Sequence, residues 1–98
     1  MDVVDEILAQ ADRLESGFEW VQCTPENDRS ACAVEWVDEM GYARALSCDA
    51  VDALCKHVAT MHNVTFESIV HWNDYCAQNV GEVIDVLKHA SKDLANRA

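Results

Sequence analysis

Basic residues are scarce in this chain: 7 Lys and Arg stand against 18 Asp and Glu over 98 residues, a formal net charge of −11. A surface so poor in cations repels phosphate backbones and anionic lipid, which argues against direct nucleic-acid binding and against adhesion to a membrane. No run approaches the roughly 18 apolar residues that a membrane span needs. The opening stretch, MDVVDEILAQADRLE, lacks the basic flank and apolar core of an export signal, so a cytoplasmic location is expected. Proline occurs once, at Pro25, and glycine three times, and no repeat, linker or low-complexity segment interrupts the sequence. There is no Cys-x-x-Cys pair, which disfavours a structural zinc site. The five cysteines, Cys23, Cys32, Cys48, Cys55 and Cys76, are an odd number and are expected as reduced thiols.

What is present is a large apolar fraction and a lopsided charge. Half of the residues are hydrophobic, enough for residues 1–98 to form one domain that buries about 60–65% of its unfolded surface. Residues 1–52 hold 13 acids and 3 bases, net −10, whereas residues 53–98 hold 5 acids and 4 bases, net −1.

Helical periodicity dominates the pattern. Val3, Val4, Ile7, Leu8, Ala11 and Leu14 recur at three- and four-residue spacing, with Asp2 placed to cap the start and Gly17 to end the helix near Ser16. Phe18-Glu19-Trp20-Val21 alternates like a short extended piece, near residues 18–22, and leads into the turn-rich Cys-Thr-Pro-Glu-Asn-Asp-Arg-Ser. Ser30 can cap a second helix carrying Cys32, Ala33, Trp36, Val37 and Met40 on one arc, opposite Glu35, Asp38 and Glu39, and stopping at Gly41. Ser47 or Asp49 starts a third, with Cys48, Val51, Leu54, Cys55, Val58 and Met61 inward and Asn63 as its stop; Thr65 caps a short fourth from Phe66 to about Cys76. Asn79 and Glu82 form a capping-box pattern for the last, whose stripe is Val80, Val83, Ile84, Leu87, Ala90 and Leu94. The expected fold is mainly α: a compact bundle of about five short helices with one extended segment.

The residues that carry chemistry do not assemble into a familiar motif. Cys48, Cys55 and His62 repeat every seven residues along one stripe, but seven residues rise about 10.5 Å along a helix, whereas ligands of one zinc sit about 2.0–2.3 Å from it. His57 and His62 are five apart and do not share a face, and His71 follows Glu67 by four, a helix-surface pair. No glycine-rich phosphate loop or nucleophile elbow occurs, so no enzyme activity, catalytic residue, metal or cofactor is expected. In Ile69-Val70-His71-Trp72-Asn73-Asp74, helical winding puts Asn73 within the apolar arc. A buried amide needs partners, and the backbone of the following turn or of the loop after Trp20 can supply them. The alternative reading gives Trp20, Trp72, Asn73 and Asp74 to a pocket that holds a small ligand by stacking and hydrogen bonding.

At Trp72-Asn73-Asp74 the sequence resembles a family of small bacterial and phage domains of unknown function, in which an apolar residue precedes a Trp-Asn-Asp triplet and a capped helix with a Val-x-x-x-Leu pattern follows. Val70, and Val83 with Leu87, stand at those places here. Gly17-Phe18 resembles the family's Gly-aromatic turn, and Cys32-Ala33-Val34 its Cys-Ala-x-Gly-Ala helix, although Glu35-Trp36 stands where Gly-Ala is favoured. The likeness covers roughly residues 5–92 and implies a small, mainly helical domain with a phage connection; it implies no activity.

The functional expectation is therefore a non-enzymatic accessory protein that binds a basic protein surface through Asp5, Asp12, Glu35, Asp38 and Glu39. A phage protein that occupies or inhibits a host factor would fit, with carboxylates imitating the phosphates of a nucleic acid. A small-ligand domain and a self-associating helical module are the competing classes.

Overall fold

The computed structural model describes residues 2–22, 25, 29–61 and 68–97. Three long amphipathic helices follow the periodic stripes closely. Helix α1, Val3–Glu15, begins where Asp2 Oδ1 accepts the Asp5 backbone N–H at 2.8 Å, and ends at Ser16 ahead of Gly17, whose φ of +116° is the left-handed conformation that glycine adopts without strain. Ile7, Ala11 and Leu14 are buried as expected, but Leu8 is exposed and the inward place beside them belongs to Gln10. Helix α2, Cys48–Met61, is capped by Ser47 Oγ, which accepts from the Ala50 N–H. Ala50, Leu54 and Val58 are its buried face, while Cys48 and Met61, placed inward by the sequence pattern, are exposed. Helix α4, Val80–Arg97, starts at Asn79, whose Oδ1 accepts from Glu82 N while Glu82 Oε2 accepts from Gln78 N, and buries Val83, Leu87 and Ala90.

The expected helix from Ser30 to Met40 is not there, and the fold is α+β rather than a mainly α five-helix bundle. Four short strands, β1 (Glu19–Trp20), β2 (Ser30–Ala31), β3 (Glu35–Val37) and β4 (Ala43–Ala45), form a sheet in the order β1-β2-β3-β4. The β1 and β2 strands run parallel, and β2–β3 and β3–β4 antiparallel, with Ala31 opposite Trp36 and Trp36 opposite Arg44. The extended piece near residues 18–22 is thus real, and it is the first of four.

Two turns explain the error. Gly41, read as a helix stop, closes the β3–β4 hairpin with a φ of +84°. Asp38 Oδ1 accepts the backbone N–H groups of Met40 and Tyr42, the local side-chain capping that makes aspartate a turn residue. The β2–β3 turn at Ala33-Val34 is buried and apolar, so it carries none of the polar residues by which turns are recognised. Its backbone is satisfied from outside: Gln10 Nε2 donates to Cys32 O at 2.7 Å and Glu35 O at 3.1 Å. Gln10 Oε1 in turn accepts from Arg13, whose guanidinium lies 3.6 Å from the Trp36 ring centre.

After α2 the described chain resumes at Ser68, whose Oγ caps the short helix α3, Ile69–His71, by accepting from His71 N. The expected stop at Asn63 and cap at Thr65 lie outside the described residues, as does most of the turn-rich Cys23–Ser30 segment. Trp72–Cys76 winds as a π-helical turn, closed by the Ala77 N–H donating to Trp72 O at 2.8 Å. That wider turn lets two successive residues, Trp72 and Asn73, both face inward. The core joins α1, α2 and α4 to the buried Cys32-Ala33-Val34 turn and to Ile69 and Trp72, with α1 packing most extensively against α4.

Candidate functional site

The five acids expected to meet a partner fall on two different elements. Asp5 and Asp12 are exposed on α1. Glu35, Asp38 and Glu39 are not on the outer face of a helix: Glu35 is in β3 and the other two are in the hairpin that follows it. There, Asp38 is largely spent on structure. It holds the turn and pairs with Arg44 at 3.0 Å, and the hydrogen bond from Tyr42 is the largest reason its carboxyl titrates below the ordinary value. Glu39 pairs with Arg29 at 3.4 Å. Glu15 and Asp52 have cations too, Lys88 and Lys56, while Asp5 and Asp12 have no ion pair among the described residues.

Trp20, Asn73 and Asp74 do come together in a hydrogen-bond network, with Trp72 buried beside Asn73 in the same π-helical turn. Asn73 is wholly buried; its Oδ1 accepts from Trp20 Nε1 at 2.9 Å, and its Nδ2 donates to Val21 O at 3.2 Å and Asp74 Oδ1 at 3.0 Å. Gln22 Nε2 completes the join by donating to Asn73 O and Ala77 O. These bonds pin β1 to the π-helical turn, the holding role expected of a buried amide. Of these four residues only Trp72 also borders one of the hollows beside His57.

Two hollows flank His57, between α2 and α4. The first, about 260 Å³, is bordered by Lys56, Thr60, Asp93, Leu94 and Arg97 among others; the second, about 380 Å³, by Met61, Trp72, Cys76, Glu82, Asp85, Val86 and His89. The His57 side chain is 9% exposed and its Nδ1 stands 3.3 Å from Asp93 Oδ2. Burial holds its imidazole below the ordinary value; Asp93 pulls the other way, and His89 and Arg97 reinforce the depression. Its Nε2 is buried with no hydrogen-bond partner among the described residues. Among the described residues no three His, Cys, Asp or Glu side chains are placed to hold a metal ion, and no helix is long and apolar enough to cross a membrane.

Sequence reasoning singled out neither Asp93 nor His89, and weighed His57 only against His62. One signal was available: His89 and Asp93 are four apart on a strongly periodic helix and so share a face. Nothing in the sequence shows that this face meets α2 at His57. The cysteines likewise separate only in three dimensions, Cys32 buried with its thiol pushed up by burial, and Cys55 Sγ accepting from Ile69 N.

No curated protein and no solved structure matches the chain. A family model matches residues 2–93, most of the chain and slightly more than the 5–92 span of the resemblance. The chain belongs to that family, the Family of unknown function DUF6197.

Proposed function

We propose that this domain is a non-enzymatic accessory protein that binds a basic surface on another protein, led by the exposed carboxylates of α1. The observation that carries the reading is the contrast in compensation. Asp38, Glu39, Glu15 and Asp52 each form an ion pair, whereas among the described residues Asp5 and Asp12 form none, Asp12 interacting with Lys88 only beyond pairing distance. With −10 of the net charge before residue 53, α1 presents Asp5 and Asp12 within a negative field that accelerates encounter with a positive partner. A phage protein that occupies the basic groove of a host nucleic-acid-binding factor is the form of this reading that the charge favours most.

The test is a pull-down from bacterial lysate with the full chain and with a D5K/D12K variant, at about 0.1 and 0.5 M salt, where screening lengths differ about twofold. A basic partner retained at low salt, released at high salt and lost by the variant supports the proposal. Partners indifferent to both salt and the two substitutions overturn it.

A further inference from the structure

His57, which borders both hollows on the α2–α4 face, carries a buried ring nitrogen with no hydrogen-bond partner among the described residues. His57 Nδ1 is committed to Asp93, and a carboxylate facing one ring nitrogen fixes the proton there. With the ring kept neutral by burial, Nε2 is a bare acceptor, buried and without a donor. A buried acceptor left unmade is costly, so the atom is primed for an N–H or O–H from outside the chain.

The surroundings narrow the choice. Asp93 borders only the smaller hollow, while His57 borders both it and the larger one. The fixed charges on that larger wall are two carboxylates, Glu82 and Asp85, and no Lys or Arg is among its described residues. Met61, Trp72 and Val86 supply apolar surface. About 380 Å³ falls within the size range of small-molecule sites.

We propose that this hollow binds a small organic ammonium ion: an amine N–H donates to His57 Nε2, the positive charge faces Glu82 and Asp85, and a short apolar body lies against Trp72, Met61 and Val86. An anion would face two carboxylates, and no three His, Cys, Asp or Glu side chains among the described residues are placed to hold a metal ion. Trp72 adds an aromatic face, the ring type best suited to attract a cation. The proposal does not depend on the acidic face of α1, which belongs to a different helix.

The full chain is titrated with 2-phenylethylamine and, as matched controls, phenylacetate and 2-phenylethanol. Binding is followed by calorimetry and by imidazole ¹H–¹⁵N NMR correlations. Saturable binding of the amine, with His57 and His89 ring shifts and no binding of phenylacetate, is the expected result. Asp85→Asn, an exposed substitution that leaves the core untouched, weakens binding about tenfold, and His57→Phe does so at least as much. Nα-acetyl-lysine amide forms a second arm: its binding at the same residues identifies a protein lysine as the source of the ammonium, and its failure beside a binding amine identifies a free amine. Equal binding of phenylacetate, shifts that avoid both histidines, or no saturation by any amine overturns the assignment.

Discussion

Asn73 shows how a polar residue becomes part of a core. With no exposed surface, it accepts from the Trp20 indole and donates to Val21 O and to Asp74, so its amide works in both directions at once. Asn73→Leu keeps the volume and strands the Trp20 N–H and the Val21 carbonyl; the expected loss is about 2–4 kcal/mol. Urea unfolding followed by tryptophan fluorescence measures it, and a loss under about 1 kcal/mol would show that the network is dispensable. His57 governs a different observable. Its imidazole is depressed chiefly by burial, so the folded state resists the proton that the unfolded chain takes up near pH 6.5. The unfolded state binds more protons in that window, and stability therefore rises with pH. The stability from neutral His57 is fully present above about pH 6.5 and is lost as pH falls through the folded value. Midpoints of unfolding between pH 5 and 8 should show a slope that His57→Phe flattens; an unchanged slope would assign it to other groups.

Elements differ in how plainly they announce themselves. The α1, α2 and α4 helices are long enough for a stripe to repeat several times, and Asp2, Ser47 and Asn79 mark their starts by the local chemistry of the cap. The strands are two or three residues each, too short for an alternation to establish itself. In the Ser30–Met40 stretch, Cys32, Ala33, Trp36, Val37 and Met40 satisfy a helical arc on paper, and the local Asp38 turn together with long-range bonds decides against it. Gln10 is the decisive contact, since it supplies from α1 the donor that a surface turn would take from water. Gln10→Leu removes that donor and strands the buried Cys32 carbonyl, while Glu35 O keeps the Cys32 N–H, at a cost of about 1–3 kcal/mol. Because Gln10 joins α1 to the hairpin, amide exchange in β3 and β4 should accelerate more than in α4; uniform acceleration would show that the turn does not depend on Gln10.

For the whole molecule, composition described the charge and its asymmetry correctly but not its placement. Glu35, Asp38 and Glu39 moved from an imagined helix face to a strand and a hairpin, where two of them meet arginines. The His57 hollow was illegible for a related reason: its residues come from α2, the π-helical turn and α4, and no spacing within one segment records their meeting. The packing of α1 against α4, fastened by Glu15 and Lys88, has a consequence in time. A ribosome delivers α1 well before its principal partner α4, so in the interval Ile7, Ala11 and Leu14 lack most of their cover. The half of the chain that must wait is the half that carries nearly all the excess carboxylate, and mutual repulsion between nascent copies guards that exposed stripe against clumping until the final helix arrives.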